Sequence, residues 1–237
     1  MQPQLELGGK DAAYVAEDAD IAQAAATVVD GAMFNSGQSC CGIERAYVHK
    51  SILPQFIEEC KKVLADYKLG DPADSKTNLG PLVSEKAALY AEKQVKAATD
   101  SGAKILAGGK IQKIGGGFFF EPTLMTDVQQ KMEVMQEENF APVLPVLGVS
   151  SLDEAIGFVN DSRYGLTSAI FTQDIEKAKT FAAKVNTGTV FMNRCDYLDP
   201  ALPWTGVKDS GCGSALSHLG FFSVTRAKAI NFRKAVK

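Results

Sequence analysis

Residues 142–193, PVLPVLGVSSLDEAIGFVNDSRYGLTSAIFTQDIEKAKTFAAKVNTGTVFMN, decide the fold class, because the period of their apolar residues switches repeatedly. Val143 to Val149 is an apolar run of strand length. Ser151-Leu152-Asp153-Glu154 then reads as a capping box, and the helix it opens carries Leu152, Ala155, Ile156 and Val159 on one face. A second strand spans Leu166 to Thr172, and a second helix spans Asp174 to Val185 with the stripe Ile175, Ala178, Phe181, Ala182 and Val185. A third strand runs from Thr189 to Asn193. Crossover helices of this length pair their strands in parallel through right-handed connections. The sequence therefore predicts an α/β fold, a mostly parallel sheet with helices on both faces.

Working outward from that stretch, Leu5-Glu6-Leu7 is strand-like and ends in Gly8-Gly9. Asp20 is placed to cap a helix with Ile21, Ala24, Ala25, Val28 and Ala32 on one face, which leads into the turn Asn35 to Gly42. Arg45 to His49 reads as a strand. Ser51 is placed to cap a helix striped by Ile52, Leu53, Phe56, Ile57, Cys60, Val63 and Leu64. A long helix is expected over Ser84 to Ser101 with Gly102 as its C′ residue, then a strand over Lys104 to Leu106. Gly108 to Gly117 reads as a surface loop. After the loop Leu198 to Gly213, a short helix and a final strand at Thr225 to Phe232 are expected.

Composition narrows the function. With 25 Lys+Arg against 28 Asp+Glu, the 237 residues carry a formal charge of −3, which speaks against an electrostatic nucleic-acid binder or a polybasic membrane-surface protein. No apolar run reaches the roughly 18 residues that span a bilayer, and nothing at the start resembles a secretory leader. Five cysteines, an odd number, suggest free thiols in a reducing compartment, and a cytoplasmic location is expected. With two histidines and no Cys-x-x-Cys pair, a metal site is not expected.

Two residues could carry chemistry. Cys40 follows a glycine turn at the end of an apolar helix, where it can offer both its sulfur and its own N–H to a carbonyl; it reads either as a nucleophile or as a small buried hydrophobe. Glu6, flanked by leucines on a strand end, reads as a desolvated general base or as an outward-pointing residue of an alternating strand. Spacing decides neither.

Leu5-Glu6-Leu7-Gly8-Gly9-Lys10 and Phe34-Asn35-Ser36-Gly37-Gln38-Ser39-Cys40 together resemble the paired active-site signatures of the aldehyde dehydrogenase superfamily. The likeness continues through Gly80-Pro81-Leu82, Glu137-Glu138-Asn139-Phe140-Ala141-Pro142-Val143, Tyr164-Gly165-Leu166 and Pro203 to Gly211, in the family's order. The resemblance implies that Cys40 is the nucleophile and Glu6 the base of an NAD- or NADP-dependent oxidation of an aldehyde to a carboxylic acid through a thioester. It implies that Glu138 and Phe140 contact the nicotinamide-side ribose and ring. Asp196, Leu198 and Trp204 fall in the region resembling the substrate funnel, where Arg194 is a weaker candidate for an anionic substrate. Ala141 stands where the family usually has glycine.

The likeness covers roughly the C-terminal half of a typical member. Residues 1–237 are accordingly expected to be the catalytic domain, with an oligomerisation strand near 225–232 and with the N-terminal cofactor-binding domain absent. Three expectations follow: a poorly fixed Glu6, an exposed apolar face that favours a homo-oligomer, and little cofactor turnover by this chain alone. The alternatives are a non-enzymatic interaction domain that keeps the fold, and a coenzyme-A-acylating relative, against which Glu6 speaks.

Overall fold

In the computed structural model, which describes residues 3–235, the chain runs in the following order. It forms β1 (Leu5–Glu6), β2 (Asp11–Val15), α1 (Ile21–Met33), β3 (Ile43–His49), α2 (Leu53–Leu64), α3 (Glu85–Asp100) and β4 (Lys104–Ala107). There follow β5 (Ile111–Ile114), β6 (Gly117–Phe120), β7 (Thr123–Thr126), α4 (Glu133–Gln136), β8 (Val143–Val149) and α5 (Leu152–Asn160). The chain closes with β9 (Thr167–Phe171), α6 (Ile175–Lys184), β10 (Thr189–Met192), β11 (Gly211–Cys212) and α7 (Phe221–Val224).

Seven strands hydrogen-bond in the order β10-β9-β2-β3-β8-β7-β4, every neighbouring pair parallel except β7 with β4. Strand alternation distributes the side chains of the central strands between two cores. Ala12 and Tyr14 of β2 and Tyr47 of β3 join the layer formed by α3, α5 and α6. Ala13 and Val15 of β2 and Ala46 and Val48 of β3 join the layer formed by α1 and α2. The sheet is covered on both faces, as the switching period predicts.

Side-chain caps start the helices where the sequence places them. Asp20 accepts from Gln23 N–H, Ser84 from Ala87 N–H, Ser151 from Glu154 N–H, and Asp174 from Glu176 and Lys177 N–H. Gly102 sits at φ +101°, the left-handed geometry that lets a glycine terminate α3. Ser51 does not cap α2: its hydroxyl pairs with His49 Nδ1 at 2.8 Å, and Pro54 in the first helical turn removes one of the N–H groups that would need a partner.

Two expectations are corrected and one strand is added. Residues 108–117 are not one loop, since Ile111–Ile114 and Gly117–Phe120 pair antiparallel across Gly115-Gly116. β2, which is not among the strands expected from the sequence, is the third strand of the sheet. The strand expected over 225–232 does not form: among the described residues this segment has no ladder partner within the chain, and without one its backbone has no interstrand hydrogen bonds to make. Among the described residues, no helix is long and apolar enough to cross a membrane.

Candidate active site

Cys40 is delivered by a strained turn. Beyond α1, residues Phe34–Gly37 form a short tight turn in which Asn35, Ser36 and Gly37 lie at φ +50°, +59° and +70°. Holding a non-glycine residue left-handed costs on the order of 1–3 kcal/mol, so the surroundings must compensate. Ser36 Oγ donates to the Gly80 carbonyl at 2.9 Å, Gln38 Nε2 to the Pro81 carbonyl at 3.3 Å, and Val83 N–H to Gln38 Oε1 at 2.8 Å. The Gly80-Pro81-Leu82 motif is thus the buttress of the cysteine turn. At Gly37 a Cβ would overlap the Ala141 carbonyl, so this turn and the 138–141 loop are in direct backbone contact.

The five cysteines are chemically distinct. Cys40 is half-buried, and its thiol is brought down to about 7, first by the Cys41 thiol beside it and then by its own backbone N–H, against the opposing effects of burial and of the nearby Glu138 and Glu6 charges. Cys41 is buried and donates to Asp196 Oδ1 at 2.8 Å; its thiol is pushed far up, first by the neighbouring Cys40, then by burial and then by the Asp196 contact. Burial pushes Cys60 and Cys195 up to about 12. Cys212 is exposed.

Glu6 departs from expectation in one way. Its backbone is tied down: Leu5 and Glu6 pair with Cys212 and Gly211, and Leu7 N–H donates to the Ser210 carbonyl at 3.0 Å. Buried Ser210 bridges further, donating to the Gly8 carbonyl at 2.7 Å and accepting from Gly165 N–H at 3.0 Å. Residues 5–8 are therefore held in place, because the segment after β10 returns to clamp them. The Glu6 side chain is exposed, as the outward-pointing reading has it.

Gly8 and Gly9 carry the chain from Glu6 to β2 between the cysteine turn and the 138–141 loop. A Cβ on Gly9 would overlap the Cys40 carbonyl, and one on Gly8 would lie 2.6 Å from Glu138 Oε2. Glu138 Oε1 accepts from Gly9 N–H at 2.9 Å, and its carboxyl is raised chiefly by desolvation. Phe140 sits at φ +51° and is 38% exposed. This loop is held from below by Glu44 of β3, whose carboxylate accepts from Asn139 N–H and Phe140 N–H, each at 2.9 Å, and from Lys10 Nζ at 2.7 Å. Ala141 is buried and stays outside the left-handed region, so its methyl is accommodated where the family usually has glycine.

A half-buried carboxylate and an exposed aromatic ring on one fixed loop fit a ribose and a flat heterocycle. The buried, unpartnered Nδ2 of Asn139 lies in the same loop. Glu138 and Phe140 thus suit the nicotinamide-riboside end of a dinucleotide.

The residues expected in the substrate funnel are divided. Asp196 and Leu198 line a cavity of about 360 Å³ together with Asp30, Phe34 and Cys195. Trp204 is buried and faces a different cavity, of about 180 Å³, with Arg194 and Leu202. The Arg194 guanidinium stacks 3.5 Å over the Tyr197 ring. Sequence reasoning missed Glu44, Asp11 and Ser210. Asp11 is fully buried, accepts from Thr167 N–H at 3.0 Å and from its hydroxyl at 2.6 Å, and is raised well above the usual carboxylate range by desolvation. A carboxylate inside an apolar run, as in Asp11-Ala12-Ala13-Tyr14-Val15, was the signal available for it.

Residues 1–230 match the aldehyde dehydrogenase family, and the chain belongs to that family. It is 39% identical over 212 residues to lactaldehyde dehydrogenase of Escherichia coli (strain K12), covering 89% of this chain and 44% of that one. It is 37% identical over 226 residues to succinate-semialdehyde dehydrogenase [NADP(+)] of Deinococcus radiodurans, covering 95% and 47%. The crystal structure of the Escherichia coli lactaldehyde dehydrogenase superposes with a TM-score of 0.90 at 38% identity over 93% of this chain and 46% of that one. Betaine aldehyde dehydrogenase from Staphylococcus aureus, in complex with NAD+, gives 0.89 at 37% identity over 93% and 44%. The chain spans about half the length of the curated relatives it matches.

Proposed function

We propose that this chain is the C-terminal, catalytic half of an NAD- or NADP-dependent aldehyde dehydrogenase, with Cys40 as nucleophile and Glu6 as base. The observation that carries the reading is the placement of one thiol with its pKa near neutrality on a strained turn, with Glu6 and Glu138 near enough for their charges to bear on it. Strain of this kind clusters at functional sites, and a thiolate available near neutral pH is what nucleophilic addition needs.

Cys40 as thiolate adds to the aldehyde carbon, the carbonyl electron pair moves to oxygen, and the Cys40 backbone N–H donates to the oxyanion formed. Glu138 and Phe140 hold the ribose and ring of the cofactor. The chemistry a nicotinamide supplies when bound is acceptance of hydride, which leaves the acyl group as a thioester on Cys40. Glu6, exposed and fixed only through its backbone, then takes a proton from water as the water attacks the thioester carbon, and the Cys40 thiolate leaves. Asp196 and Leu198 border the cavity through which the aldehyde arrives. The intact enzyme acts in the cytoplasm as a homo-oligomer, with segment 225–232 pairing against a second copy.

Hydrolysis of p-nitrophenyl acetate by the 237-residue chain tests the reading without cofactor. Cys40→Ala is expected to abolish the reaction, and Glu6→Gln to leave a burst of p-nitrophenol followed by slow release of acetate. Hydrolysis unchanged in Cys40→Ala would refute the assignment.

A further inference from the structure

We propose that Asp196 is a positioning residue that keeps Cys41 protonated, leaving the adjacent Cys40 as the nucleophile of the pair. The inference rests on the reading of Cys40 given above, and it assigns the Asp196 carboxylate a task other than contact with substrate.

Two neighbouring cysteines present a problem of selection. Either sulfur, once ionised, disfavours ionisation of the other, so the pair loses its first proton as a unit. The fold breaks the symmetry. Cys41 Sγ lies 2.8 Å from Asp196 Oδ1 and 3.4 Å from Ser39 Oγ, and Cys41 is buried where Cys40 is half-buried. An ionised carboxylate only accepts hydrogen bonds, so this contact exists only while Cys41 is protonated. A Cys41 thiolate there would place two anions 2.8 Å apart.

The acidic groups around Cys40 work against its ionisation, so burial of Cys41 and its contact with Asp196 have to outweigh them. Glu6 of β1, Asp11 of β2 and Glu138 face Cys40. Asp30 of α1 and Arg194 face the neighbouring Cys195, and the Arg194 guanidinium is engaged with the Tyr197 ring. Asp196 is set at φ +47°, a left-handed geometry that aspartate and asparagine adopt more readily than other side chains. Its carboxylate is thereby fixed on the Cys41 sulfur while still bordering the cavity it shares with Leu198.

The test is the pH dependence of Cys40 alkylation by iodoacetamide, resolved by peptide mass spectrometry, in the wild-type chain, Asp196→Asn, and Asp196→Asn/Cys41→Ser. Circular dichroism establishes that each is folded. The wild-type midpoint is expected at about 7. Asparagine tolerates the same backbone and can turn its amide N–H toward a Cys41 thiolate, so Cys41 takes the charge first. The Cys40 midpoint then rises by about one pH unit, roughly tenfold slower alkylation at pH 7. Removing the competitor in the double variant returns the midpoint to the wild-type value. Asp196→Ser, a second uncharged variant, is expected to move it upward as well. Simple loss of a nearby negative charge would lower the midpoint instead. A midpoint that falls or stays in Asp196→Asn overturns the proposal. Failure of the nucleophile reading looks different: wild-type Cys40 would then react no faster than Cys60.

Discussion

Lys10 Nζ lies 2.7 Å from Glu44 Oε2, with side-chain exposures of 0% and 4%. The same carboxylate accepts the N–H groups of Asn139 and Phe140, so one buried ion pair joins the strand that follows Glu6 to the loop that carries Glu138 and Phe140. Desolvation lowers the Lys10 pKa despite its partner, as expected of an ammonium taken out of water. Removing one partner of such a pair leaves an uncompensated buried charge, which costs about 3–5 kcal/mol. Lys10→Met is therefore expected to destabilise the chain by about that amount in urea unfolding. Lys10→Met/Glu44→Gln should lose less than the sum of the two single losses. Additive losses would show that the pair does not act as a unit.

Asp11 gives a pH-dependent prediction. Its folded pKa is raised, so its contribution to stability is present at low pH and is lost as pH rises through that value. Asparagine can keep both contacts with Thr167 and carries no charge. Asp11→Asn is expected to melt higher than wild type at pH 8, with the difference shrinking toward pH 4. Each kcal/mol corresponds to roughly 2–4 °C in a chain of this size. A melting-temperature difference that does not change with pH would contradict the assignment of a buried, proton-binding carboxyl.

Why this network escaped the sequence is instructive. Strand and helix periods identified β8 to the residue and the helices around it, because a strand buried on both faces and an amphipathic helix leave patterns within a short window. Asp20 and Ser151 were legible as caps for the same local reason. Lys10 and Glu44 are 34 residues apart, and only the parallel pairing of β2 with β3 places them together. Between the two readings of Glu6 the sequence could not choose, because its flanking leucines, 45% and 48% exposed, suggest a burial that a two-residue pairing with β11 does not supply. The 225–232 segment carries strand-like residues, but a ladder needs a partner that its own chain does not offer.

The apolar side chains near the C-terminus predict self-association. Phe222 is 74% exposed and Phe232 91%, with Phe221, Val224 and Ile230 beside them. Large apolar side chains exposed in such number mark an interface or an aggregation hazard. Light scattering is expected to show dimers or larger species at micromolar concentration, and Phe222→Asp/Phe232→Asp to shift them toward monomer. A strictly monomeric wild-type chain would refute this.

Ester hydrolysis should follow the Cys40 thiolate. The thiolate predominates above about 7, so the acylation rate should level off at higher pH and fall about tenfold per unit below it. A rate that keeps rising through pH 9 would instead indicate an unactivated thiol.

The most direct test of the nucleophile assignment is to mix the chain with p-nitrophenyl acetate, quench in acid within the burst, and locate the acetyl group by peptide mass spectrometry. Acetyl on Cys40, with Cys41 and Cys60 unmodified, is the predicted result. Acetyl on Cys41 or Cys212 with Cys40 free would contradict it.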